Sequence, residues 1–243
     1  MLPTTATPAS PPAGDSSSSV GLSLLDLLYA VVAGDVLTRL SNSELGRVPL
    51  YGWGGLSVSL AIIVFSWMGY HRNRKLALSA RNSSPVGAEK PDKRHSIGDY
   101  SVWDWQFLQF MIEVAILGVY FAMGLRVALP GKGEIPRPPS AFWPASCLVA
   151  VYALYLAWDF LDVALNRGYW RARAVAGMKV SAAFLVAFAG VLAGVWVSRP
   201  TGSGTVLGID VVMVVLLYAY RALQEHYCAK VGTSAGAVTG TGT

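Results

Sequence analysis

The stretch from Ser181 to Ser198, SAAFLVAFAGVLAGVWVS, contains no charged residue, and it is one of several such runs along the chain. A hydrocarbon core about 30 Å thick is crossed by about 20 apolar residues in a helix, because lipid offers the backbone no hydrogen-bonding partner outside its own segment. Six spans are expected on this basis: Val20 to Thr38, Gly52 to Tyr70, Trp105 to Ala128, Trp143 to Leu165, Ala176 to Ser198 and Gly204 to Ala222. Composition agrees, with 53% of the 243 residues apolar and only 14% charged, against about 25% charged in an ordinary soluble domain. The expected fold class is all-α, a polytopic six-transmembrane-helix bundle that oligomerises. A soluble enzyme is excluded, and no catalysis is expected.

Three regions follow. Residues 1–19 and 227–243 are mixtures of Pro, Ser, Thr, Gly and Ala without a hydrophobic period, so both tails are expected to be flexible around a membrane domain at 20–226. No Lys or Arg precedes Arg39, so the first run lacks the positive lead of a secretory signal and is expected to remain in the mature protein. Thirteen of the nineteen Lys and Arg residues lie on the face shared by the tails and the loops after spans two and four. Positive loops resist translocation. The expectation is a multi-pass protein of the bacterial plasma membrane with both termini cytoplasmic.

The net charge of +5 is then explained by anionic headgroups, and the bilayer rather than nucleic acid is the expected partner. Cys147 lies inside span four and Cys228 beyond span six, so no disulfide is expected between them. There is no HExxH, no CxxC and no close His pair, so neither metal nor cofactor is expected. Asn82 opens a glycosylation sequon that a cytoplasmic loop leaves unused, while Trp103, Trp105, Trp143, Trp170 and Trp196 sit near span ends as interfacial anchors. In span five, Ala183, Ala187, Gly190 and Gly194 form a stripe of small residues that lets another helix approach closely.

Polar groups inside the spans are the functional candidates, since each ionisable group costs about 2.5–3.5 kcal/mol at a helix centre on insertion scales. Gln106, Gln109, Glu113 and Tyr120 share one face of span three. Glu113 is read either as a hydrogen-bonding group between helices or as a proton or cation site. Tyr155, Asp159, Asp162 and Asn166 form a second stripe, beside Arg167, Arg171 and Arg173, where ion pairing at the membrane surface is the simpler reading. On span six Arg221 and Glu225 are spaced to pair, and Asp210 falls within the first turns. His71, in VFSWMGYHRNRK, admits three readings: metal ligand, proton-transferring group, or polar packing residue where a helix meets water.

The run SVSLAIIVFSWMGYHR, with Trp67 and His71 one turn apart, together with LLDLLYAVVAG around Asp26, resembles the first two helices of the endolysosomal potassium channel family and its bacterial relatives. That family's signature is Arg-x-x-x-Phe-Ser-Asp; here Asp26 holds the aspartate position, while Val20, Leu24 and Leu25 stand at the other three. The resemblance implies a six-helix subunit, a homotetramer in bacterial relatives, whose first helices line a pore for monovalent cations, K⁺ or H⁺. It implies an apolar constriction at Val31, with Leu27 a turn earlier and Gly34 or Asp35 a turn later, and a network of Asp26, Trp67 and His71 holding helices one and two together. No carbonyl filter of the TVGYG kind is present. Two rival expectations stand beside the channel: a non-conducting accessory or effector module, and a proton-coupled transporter using Glu113 and Asp159.

Overall fold

The computed structural model of the protein describes residues 17–83, 105–127, 129–130, 138–165 and 168–238. Its elements are α1 (Ser17–Asn42), α2 (Leu50–Ser83), α3 (Trp105–Leu125), α4 (Phe142–Leu165), α5 (Gly168–Ser198) and α6 (Ser203–Val238), with a 3-10 turn at Leu45–Arg47. Each expected span coincides with one helix. Two helices overrun: α2 continues through Ser83, and α6 continues to Val238, through a stretch read from sequence as tail. Residues Ala222 to Lys230, rich in Ala, Leu, Gln, Glu and Lys, have the propensity to carry it there. The expected N-terminal tail up to residue 16, Trp103, Asn166 and Arg167 lie outside the described residues.

Among the described residues five helices are long and apolar enough to cross a membrane, over Leu50–Arg72, Phe107–Leu125, Phe142–Leu165, Arg171–Ser198 and Ser203–Tyr227. They match five of the six expected spans, and the first expected span, Val20 to Thr38, falls in α1. The 26 residues of α1 are long enough to span, and residues 25–42 carry three charged side chains, Asp26, Asp35 and Arg39. Within the helix Arg39 Nε meets Asp35 Oδ2 at 2.8 Å, four residues back, which offsets part of that polarity.

The chain reverses by local chemistry. The Ser41 and Ser43 hydroxyls donate to the Thr38 and Leu40 carbonyls, supplying donors to the last turn of α1, whose carbonyls have no partner within the helix. The Glu44 amide donates to the Pro130 carbonyl at 3.3 Å, tying the α1–α2 link to the first part of the α3–α4 link. At the end of α5, Arg199 adopts φ 42 before Pro200, a left-handed residue followed by one that cannot extend the helix.

Neighbouring helices alternate in direction, and α2 and α6 run parallel: Gly54 and Asp210 meet near the starts of both, Gly69 and Arg221 near their other ends. Side chains from all the helices share one core, with Val36, Val58, Leu148, Phe188, Met213 and Leu217 fully buried. Lipid tails are as apolar as leucine, so close backbone approach supplies much of the attraction. Gly54 and Gly69 of α2 admit the two charged side chains of α6, and Gly124 of α3 admits Val36 of α1: a Cβ at Gly124 would lie 2.8 Å from Val36 Cγ2. The small stripe of α5 behaves differently from expectation. Ala183, Gly190 and Gly194 are exposed and Ala187 is half-buried, and a Cβ at Gly190 or Gly194 meets nothing within 4 Å, so no helix among the described residues packs closely on those two glycines.

Candidate functional site: a clamped first helix and an internal polar hub

The last membrane turn of α2 holds α1. His71 Nε2 lies 3.1 Å from Asp26 Oδ1, and the Trp67 ring stands edge-on to the imidazole at 4.5 Å between centroids. Trp67 and His71 are one turn apart, so the indole fixes the imidazole plane from below while Asp26 meets its nitrogen from α1. Tyr70 adds a second edge-on ring to His71 at 5.4 Å and reaches Tyr29 of α1 at 6.3 Å. Of the three sequence readings of His71, the geometry is that of an inter-helix contact; among the described residues no group of three or more His, Cys, Asp or Glu could hold a metal.

With Leu25, Val32 and Val36 of α1 buried in the core, the opposite side of the helix is open. Leu27 is 59% exposed and Val31 55%, and a Cβ at Gly34 meets nothing within 4 Å. At about 100° per residue these three positions lie within about 60° of one another, on the side away from Val32 and Val36. Asp35 sits on the flank of this stripe and turns along the helix to Arg39. The three apolar positions named for the constriction therefore form one outward stripe, and Asp35 is not a free carboxylate beside them.

Inside the bundle, each helix contributes a polar side chain to a hub on the same side of the membrane as His71. Ser66 of α2 lies 2.8 Å from the Tyr29 hydroxyl of α1 and 2.8 Å from the Tyr155 hydroxyl of α4. Tyr155 also meets the Tyr120 hydroxyl of α3. Beside them, the Ser181 hydroxyl of α5 donates to Asp159 Oδ2 at 2.6 Å and lies 3.4 Å from the Tyr220 hydroxyl of α6. The Tyr155 and Tyr220 rings are parallel, 6.2 Å apart, and join the two halves. Below the hub Arg72 of α2 and Arg221 of α6 converge on Glu225, each at 2.9 Å.

Part of this follows from sequence. The stripe through Glu113 and Tyr120 does face the bundle: Tyr120 is fully buried and Gln109 and Glu113 are half-buried. Asp159 turns to Ser181 and against Gly177 of α5, where surface pairing with arginines was the simpler expectation; Asp162 is half-buried one turn on. Ser66, Ser181 and Tyr220 carry no signal in the sequence, because a serine or tyrosine in an apolar run is common and only its register against another helix reveals a network. Comparison with protein-family models, with curated proteins and with solved structures finds no significant match.

Proposed function

We propose that this chain is one subunit of a homo-oligomeric cation channel in the plasma membrane of a bacterial cell, with α1 as a sixth crossing on the shared axis and both termini cytoplasmic. The observation that carries the reading is the orientation of α1: its inner side is pinned by the core and by the Asp26–His71 contact, and its outer side presents Leu27, Val31 and Gly34. On an oligomer axis α1 is covered by its own subunit on one side and by other copies on the other, which accommodates its charged side chains, Asp26, Asp35 and Arg39, away from lipid.

The resemblance to the endolysosomal potassium channel family points the same way, to a tetramer with an apolar constriction at Val31 and a monovalent cation, K⁺ or H⁺, as the permeant ion. A valine ring is a looser collar than a ring of larger branched side chains, so discrimination among monovalent cations is expected to be modest. The test is flux into liposomes containing the purified protein under separate K⁺, Na⁺ and H⁺ gradients. Potassium or proton flux supports the channel; absence of all three leaves a non-conducting accessory module in its place.

A second reading, a proton-coupled transporter, is favoured by one specific observation: the hub draws a polar side chain from every helix and includes Asp159, with Glu113 two turns from Tyr120 on the same face of α3. Under that reading Glu113→Gln abolishes proton flux. Under the channel reading the substitution preserves flux, because the amide keeps the shape and hydrogen-bonding reach of the carboxylate without titrating.

A further inference from the structure

The opposite end of the bundle holds a cavity of about 250 Å³ between α2, α3, α4 and α6, lined by Tyr51, Ser59, Arg126, Trp143, Val206 and Asp210 among others. Asp210 is its floor. The residue lies seven positions into α6, about 10 Å from the helix start, and is only 2% exposed. Oδ2 is pressed against α2 at Gly54, where a Cβ would sit 2.5 Å away. Oδ1 has no hydrogen-bond partner among the described residues. A buried carboxylate oxygen left without a partner carries the full cost of losing water, about 1–3 kcal/mol and more when charged, and a cavity this size has room for several waters.

The surrounding groups define what fits there. Arg126 lines the same cavity, yet its guanidinium is drawn over the Trp143 ring, 4.9 Å from the centroid, and no ion pair joins it to Asp210 among the described residues. Ser59, fully buried, gives its hydroxyl proton to the Gly55 carbonyl at 2.9 Å, so its oxygen is left as an acceptor in the lining of the same cavity. The ligand atoms on offer are thus hard oxygens, with one carboxyl, Asp210, among them and one arginine at the rim. Divalent ions ask for several carboxylates or near-ideal octahedral oxygen shells. We infer that the cavity floored by Asp210 and Ser59 binds a monovalent alkali cation from the aqueous phase at that end of the bundle.

This site lies within the subunit and across the bundle from the hub, so it stands or falls without the channel reading. The test is thermal unfolding of the purified full-length protein in detergent, titrated with NaCl or KCl against N-methylglucamine chloride at constant ionic strength. Above the dissociation constant, each tenfold rise in the bound cation lifts the midpoint by about 3–6 °C, and the ion acting at lower concentration is the one the site prefers. Asp210→Asn abolishes the response. Arg126→Gln, at an exposed position, shifts it severalfold to lower concentration by removing a like charge, and that variant decides the matter should Asp210→Asn fail to fold. A wild-type midpoint indifferent to the cation, an undiminished response in Asp210→Asn, an Arg126→Gln titration that does not move, or stabilisation by divalent ions alone would each overturn the inference.

Discussion

Tyr152 and Tyr155 sit three residues apart on α4 and differ in what their hydroxyls do. Tyr155 bridges Ser66 and Tyr120, whereas the Tyr152 hydroxyl has no partner among the described residues while its ring packs on Phe188 at 4.8 Å. Tyr155→Phe is therefore expected to cost about 1–3 kcal/mol, because it strands the buried Tyr120 hydroxyl and leaves Ser66 with Tyr29 alone, and Tyr152→Phe is expected to be neutral or slightly stabilising. Thermal unfolding in one detergent measures both; equal losses would refute the distinction. Gly54 is a second such position: a leucine there would drive into Asp210 and α2 would have to move off α6, at about 1–3 kcal/mol or more. His71 and Asp26 are legible as a pair in the sequence only through the family resemblance, since forty-five residues separate them and no local pattern links them. Asp210 is a weak signal because nothing in sequence tells that Gly54 faces it or that a cavity opens beside it.

Among the elements, the apolar runs locate the helices along the chain, since length and absence of charge are local properties. Register between helices is not legible in the same way: the α5 stripe of Ala183, Ala187, Gly190 and Gly194 predicts a close neighbour, yet Gly190 and Gly194 meet none among the described residues, whereas the close approach of α2 to α6 uses two glycines of α2, Gly54 and Gly69, four turns apart. The first helix is where local reading and structure part most clearly, because its charges are tolerable only in a particular setting. Asp35 has its partner on its own helix and Asp26 has its partner on α2. Asp26→Ala is accordingly expected to loosen α1 and weaken any oligomer in detergent, and Asp35→Ala to change assembly little. Size-exclusion chromatography with light scattering separates the two outcomes, and a reversed ranking would place the α1 contacts elsewhere.

For the molecule as a whole, one claim governs the functional account: the outward stripe of α1 faces a water-filled axis made by several copies. Leu25, Val32 and Val36 of α1 join the core of the other five helices, while Leu27 and Val31 stand exposed on its other side, with open space at Gly34, which is the side the proposed axis would cover. The direct measurement places a cysteine at Val31 and follows K⁺ flux into liposomes before and after a charged thiol-specific reagent, with the wild-type protein, whose Cys147 is buried, as the control for reaction elsewhere. The account predicts that wild type conducts and is indifferent to the reagent, while Val31→Cys conducts and is blocked by it. Wild-type protein without flux, or Val31→Cys flux that persists after complete modification, would contradict it.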